Sequence, residues 1–134
     1  MSTSWLTCAE SEADIATIRE ITGAAFSTPE EVEILDALRS DPAWIEGLSV
    51  VSIDASDVVV GHALLTRCHI DEAPALMLGP VAVRPDRQRE GAGSAAILAG
   101  LEHARRMGEN HVVVVGDPKY YSRLGFTRAS DFGM

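Results

Sequence analysis

The chain has 134 residues, 46% of them hydrophobic and 23% charged. That is the length and composition of a single folded domain, 1–134, and it argues against disorder. Lysine and arginine total 11 against 20 for aspartate plus glutamate, a net charge of −9. Such a balance repels phosphate backbones, so no nucleic acid is expected as a partner; it suits cationic partners, or serves solubility alone. No apolar run approaches the roughly 18 residues of a membrane helix. Met1-Ser2-Thr3-Ser4-Trp5 also lacks the basic start and apolar core of a secretory signal. A soluble, cytoplasmic protein with no membrane partner is the expectation.

In chain order, residues 4–9 read as a short strand. Ser11 reads as an N-cap with Asp14 three positions on, followed by Ile15, Ile18, Ile21 and Ala25 at helical spacing. A second helix starts at Thr28-Pro29-Glu30-Glu31, with Thr28 as the cap, Pro29 at the first helical position and Glu31 at the capping-box position. Val32, Leu35 and Leu38 would form its buried stripe, and Asp41-Pro42 would end it.

Residues 48–53 and 58–70 flank the turn cluster 54–57 and read as an antiparallel hairpin. A third strand follows over about 75–83. Pro80 inside it demands a bulge, because proline cannot donate to a ladder. After the polar loop 84–91, a helix opens around 92–94 with Ile97, Leu98, Leu101 and Ala104 as its packing face and Gly108 past its end. The run 111–115 reads as a strand buried on both faces. Asp117-Pro118 then starts a short helix carrying Tyr120 and Tyr121, which Leu124-Gly125-Phe126 ends.

The resulting order, β-α-α-β-β-β-α-β-α, predicts a mixed α/β (α+β) domain with one central sheet and flanking helices. Cys8 and Cys68 are far apart in apolar surroundings and read as buried, reduced thiols. The four histidines show no ligand spacing, so no metal is expected.

The most informative stretch runs from the apolar strand Val81-Ala82-Val83 into Gln88-Arg89-Glu90-Gly91-Ala92-Gly93 and Ser94. The first N–H groups of a helix have no intrahelical partner and converge on one spot with the positive end of the dipole. Glycine lets a ligand approach the main chain, and a diphosphate is the natural guest. Arg84, Arg87 and Arg89 crowd the same loop, and Arg87 and Arg89 could add contacts to phosphate. A Walker A loop is excluded because no Gly-Lys-Ser/Thr follows. The run 91–96 matches the dinucleotide pattern G-x-G-x-x-A, but the long loop and the preceding β meander fit that reading poorly. A glycine-rich helix start that binds nothing is a further alternative.

Gln88-x-x-Gly91-x-Gly93 after Val81-Ala82-Val83 resembles the acetyl-CoA motif of the GNAT N-acetyltransferase superfamily, Q/R-x-x-G-x-G/A. Tyr120-Tyr121-Ser122-Arg123-Leu124-Gly125-Phe126 resembles the family's later motif, in which aromatic residues precede x-x-L/F-G-F. The matching segments run from about Leu78 to Phe126, in order and separated by one helix and one strand.

The resemblance implies a GNAT-like, mostly antiparallel sheet with flanking helices. It implies acetyl transfer from acetyl-CoA, as cosubstrate, to a primary amine on a small molecule or a protein. It puts the pantetheine arm along 79–83 (Val81, Ala82 and Val83 among them) and the diphosphate at Arg89, Glu90, Gly91, Ala92, Gly93 and Ser94. Gln88 has a ligand role or a helix-start role. A backbone N–H near Val81 is the candidate oxyanion donor. Tyr121, five residues before Phe126, is the candidate general acid, since a phenol at about pKa 10 can share a proton with a thiol at about 8.5; core packing is its alternative role. His69, Asp71 and Glu72, or water, are candidates for the base.

The chain ends at Met134, too soon for the closing strand pair usual in the family. The open sheet edge that would result could be covered by a second copy, giving a homodimer, or reflect a truncation. It could also belong to a non-catalytic acyl-CoA-binding or interaction module, the alternative to an enzyme.

Overall fold

The computed structural model describes residues 5–116 and 118–126. The first strand, β1 (Leu6–Ala9), is followed by a 3₁₀ turn in which the Asp14 carboxylate accepts hydrogen bonds from the Ser11 N–H and hydroxyl, at 2.9 and 3.0 Å. Two helices follow, α1 (Ile15–Phe26) and α2 (Glu30–Arg39). Ser27 closes α1 in the left-handed conformation, donating its N–H to the Gly23 carbonyl at 3.0 Å. The α2 cap is Pro29 rather than Thr28. Pro29 already has helical angles and its carbonyl accepts from the Glu33 N–H at 3.0 Å, so the expected cap falls one position early. Of the expected stripe, Leu35 is fully buried, while Val32 and Leu38 are half-buried.

The chain then enters β2 (Ser49–Ile53), β3 (Val59–Ile70) and β4 (Ala73–Val83), crosses over through α3 (Ala92–Arg106) and returns as β5 (Val112–Val114) before α4 (Pro118–Ser122). The sheet order is β1-β2-β3-β4-β5, with the β4–β5 pair parallel and the others antiparallel. This is the expected mixed, mostly antiparallel architecture. Gly108, left-handed at φ 87°, follows the α3 cap Met107 as its spacing predicts. The expected lack of a closing strand pair, and Asp117 as a helix start, concern positions outside the described residues.

Each face of the sheet has its own core. Ile18 and Leu35 of α1 and α2 pack on Val51 and Leu64, while Ala96, Ile97 and Ala104 of α3 pack on Val50, Ala63, Leu65, Leu76 and Leu78. Each fully buried large aliphatic contributes about 1.5–3 kcal/mol before entropy is counted. Leu98, expected on the packing face of α3, is 49% exposed: Ala96, Ile97 and Gly100 set the buried stripe, and Leu98 falls on its flank. The strand expected to be buried on both faces is shorter and only half-buried, because β5 is the last strand of the sheet among the described residues. Cys8 is exposed, since β1 forms the opposite edge; Cys68 is half-buried, and both are free thiols.

One polar network lies inside the α1/α2 layer. Arg39 donates to both oxygens of Glu10, at 2.7 and 3.1 Å, and stacks its guanidinium over Trp44. The Ser49 hydroxyl also donates to Glu10, and Ser49 Oγ lies 2.8 Å from His62 Nε2. With the Ser49 proton directed at Glu10, Nε2 is the donor of the pair, which leaves His62 Nδ1 a buried acceptor without a partner among the described residues. Burial pushes the His62 pKa down to about 4; Glu10 opposes the shift and Arg39 reinforces it.

The sheet opens between β4 and β5. Their pairing covers Leu76–Leu78 against Val112–Val114, whereas β4 runs on to Val83. The bulge demanded by Pro80 is present: Ala63 faces Val81 and Leu65 faces Leu78, so two steps on β3 match three on β4.

Candidate functional site

A cleft of about 340 Å³ lies where the splayed end of β4 meets the start of α3. That is within the range of about 300–1,000 Å³ for small-molecule sites. Val81, Ala82 and Val83 line it from the strand, Gln88 and Arg89 from the loop, and Gly91, Ala92, Gly93 and Ser94 from the helix start. Residues singled out along the sequence thus converge on one cavity. Ala25 and Phe26, at the end of α1, and Tyr120 of α4 complete the wall.

The helix start has the chemistry of an anion site. Gly91 caps α3 in the left-handed region, φ 93°, and its carbonyl takes the first intrahelical bond from the Ala95 N–H at 2.9 Å. The N–H groups of Ala92, Gly93 and Ser94 therefore precede the intrahelical ladder. Arg89 also has a positive φ, 67°, which a residue with a Cβ adopts at some cost. The helix start can press this closely on the sheet because β3 carries Gly61 beneath it: a Cβ there would lie 3.2 Å from the Ala92 backbone. Ser52 adds a hydrogen bond from its hydroxyl to the Ala92 carbonyl, 2.9 Å. A glycine in the middle of a bulky strand is the sequence signal that could have revealed this approach.

The three arginines of the loop divide. Arg84 pairs with Asp86 at 2.8 Å. Arg87, expected as a phosphate contact, is engaged instead by Asp54 at 2.9 Å and Glu90 at 3.1 Å, both carboxylates competing with any anion for its donors. Arg89 lines the cleft and makes no ion pair among the described residues. Glu90 does not line the cleft; its side chain faces Arg87 and its carbonyl accepts from the Trp5 indole N–H at 2.9 Å.

The two tyrosines also divide. Tyr120 borders the cleft with its hydroxyl 2.8 Å from Ser94 Oγ. Tyr121 is not among the lining residues. Its ring is half-buried edge-on between Tyr120 and Phe126, with centroids 5.0 and 5.7 Å away, and it packs on the α3-side core. Burial, and to a lesser degree Tyr120, pushes the Tyr121 phenol above its usual pKa, so it is protonated at neutral pH. The Tyr120–Ser94 bond was not legible from spacing alone.

His69, Asp71 and Glu72 lie at the far end of the β3–β4 hairpin. His69 pairs with Pro74, which stands roughly 16 Å from Gly79 at about 3.3 Å per strand residue. They are too distant to act as a base at the splayed end of β4. Among the described residues no cluster of histidine, cysteine, aspartate or glutamate could hold a metal ion, and no helix is long and apolar enough to cross a membrane.

The model of the Acetyltransferase (GNAT) family matches residues 15–126. The chain belongs to the GNAT family. This GNAT chain is 34% identical over 119 residues to the uncharacterized N-acetyltransferase YjhQ of Escherichia coli (strain K12), covering 86% of its own length and 65% of YjhQ. It thus spans just under two thirds of the length of that relative. A crystal structure of a GNAT family acetyltransferase from Brucella melitensis in complex with acetyl-CoA is 36% identical, superimposes with a TM-score of 0.84, and is matched over 94% of this chain and 84% of that one. The structure of YhbS from Escherichia coli in complex with CoA shares the fold at a TM-score of 0.86, with 23% identity over 98% of this chain and 73% of YhbS.

Proposed function

We propose that this GNAT chain moves an acetyl group from acetyl-CoA to a primary amine by direct attack of the amine on the thioester. The single observation that carries the reading is the cleft itself: the splayed strand, the helix-start amides and Arg89 share one cavity. The bound acetyl-CoA and CoA of the two related structures support it. Gly79–Val83 would receive the pantetheine arm and Arg89–Ser94 the diphosphate, which oriented N–H groups and the helix dipole bind well.

Three needs remain for the chemistry. As the amine nitrogen bonds to the carbonyl carbon, the carbonyl oxygen gains charge, and the N–H near Val81 serves it. The C–S bond breaks and the sulfur needs a proton, which Tyr121 supplies as a phenol held in its protonated form. The proton lost by the amine leaves through water, because neither a carboxylate nor a histidine is among the lining residues. Ala25 and Phe26 form the wall beyond the helix start and belong to the acceptor side, and the net charge of −9 favours a cationic amine. The acceptor is a small-molecule amine or a protein amino group.

The position of Tyr121 outside the cleft lining favours, as second reading, an acyl-CoA-binding module without turnover. One experiment separates the two. Acetyl-CoA should raise the melting temperature in either case, and free thiol should appear with an amine panel only if transfer occurs. Tyr121→Phe should keep the thermal shift and lose about 100-fold in thiol release, the lower range for a general acid. Equal release by the variant removes Tyr121 from that role, and no release from the unaltered chain with any amine leaves the binding module.

A further inference from the structure

The loop that presents the helix-start amides is tied down from outside the family motifs. Trp5, just ahead of β1, donates its indole N–H to the Glu90 carbonyl at 2.9 Å. Arg87 lies over the same indole, 5.5 Å from the ring centroid, and reaches two carboxylates: Asp54 at the β2–β3 turn and Glu90 in the loop. Asp54 is itself fixed, its other oxygen accepting the N–H groups of Ser56 and Val58 at 2.9 and 3.0 Å. The Arg87 hydrogen bond, followed by that of Val58, holds the Asp54 carboxyl below its usual range.

The stereochemistry of the peptide turns these contacts into a directional device. In a trans peptide the C=O and the following N–H point to opposite sides. With the Glu90 carbonyl held by Trp5, the Gly91 N–H is directed away from Trp5. Gly91 borders the cleft on one side while its Cα face lies against the indole on the other. The loop has reason to need such restraint, because Arg89 and Gly91 both have positive φ.

The geometry points to a three-residue clamp, Trp5, Arg87 and Asp54, that orients the Glu90–Gly91 peptide and so pre-sets the amides for the diphosphate of the cosubstrate. These are positioning residues: none of the three borders the cleft. The inference rests on the coenzyme reading above and adds the means by which the loop is organised before binding. Preorganisation of this kind shows in affinity, because a floppy loop must be ordered by the ligand that binds it.

The test uses the full chain and coenzyme A as probe. Trp5→Phe keeps an aromatic ring for Arg87 and removes the indole donor; Asp54→Asn keeps the shape of the turn and removes one charge that holds Arg87. Each is titrated calorimetrically with CoA, and each apo protein is melted. The expected result is a Kd for CoA weakened about fivefold in either variant, the equilibrium counterpart of one modest hydrogen bond, with an apo melting temperature close to that of the unaltered chain. Variants that bind CoA as tightly as the unaltered chain overturn the clamp, and so does a large fall in apo melting temperature with an unchanged Kd, which marks a merely structural contact. Absence of heat from the unaltered chain at millimolar CoA strikes down the coenzyme reading, and the clamp with it. That outcome is distinct from binding which the variants leave untouched.

Discussion

Replacing Gly61 by alanine probes how the helix start is seated. Gly61 lies in β3, buried and without a positive φ, so the added methyl meets no backbone penalty of its own. It does meet Ser52 Oγ at 2.5 Å and the carbon and oxygen of Ala92 at 3.2 Å. The Ser52 side chain must turn away, which gives up its bond to the Ala92 carbonyl, about 1 kcal/mol. The helix start must also yield by a few tenths of an ångström, and overpacking of that kind costs about 1–3 kcal/mol. Against this, alanine narrows the unfolded ensemble and returns about 0.4–1 kcal/mol. The balance is a loss of about 2 kcal/mol, or roughly 6–10 °C in melting temperature for a domain of this size. Because Ala92 opens the proposed diphosphate site, CoA affinity should fall several-fold as well. Thermal melting with and without CoA reads both effects. The double variant Ser52→Ala/Gly61→Ala, which removes the nearest clash, should recover part of the stability. A single variant with unaltered melting and unaltered Kd would refute the idea that helix α3 rests directly on these two strands.

Acid should weaken the fold through His62. An unfolded histidine titrates near pKa 6.5 while the folded one waits until about 4, so the unfolded state binds more protons and stability falls as pH drops from about 6.5 towards 4. Between pH 7 and pH 5 the loss is about 2 kcal/mol; urea midpoints should show it in the unaltered chain and a flatter dependence in His62→Gln, and parallel curves would dismiss the assignment. Glu10→Gln leaves the mostly buried Arg39 guanidinium without its counter-charge, and should cost about 2–4 kcal/mol by chemical denaturation. Tyr120→Phe should cost about 1 kcal/mol through the lost Ser94 contact. Tyr121→Phe should melt close to the unaltered chain, its hydroxyl having no hydrogen-bond partner among the described residues.

The order of elements was readable because each carried its own local signal: turn residues at 54–57, a proline forcing a bulge in β4, and glycines opening and closing α3. The cleft was readable for the same reason, since a strand feeding a glycine-containing helix start is a local pattern. What was not readable depended on distant partners. Arg87 has the charge of a phosphate ligand, yet Asp54, far back in the sequence, holds it. Leu98 fits a helical stripe, but small residues at Ala96 and Gly100 decide which side of α3 meets the sheet. The run 111–115 reads as a central strand because composition does not tell an inner strand from an outer one. His69, Asp71 and Glu72 belong to the same hairpin as the splayed end of β4, but strand length puts them at its other end.

The division among the loop arginines has a kinetic corollary. Arg84, Arg87 and Arg89 sit among Asp54, Asp86 and Glu90, so the neighbourhood is close to electrically neutral inside a molecule of charge −9. A polyanion approaching such a surface feels no long-range pull; capture depends on short-range dipoles once it has arrived. Added salt, which weakens most phosphate-binding proteins by shielding their attraction, should here quicken the encounter by shielding the repulsion of the net charge and leave dissociation almost unchanged.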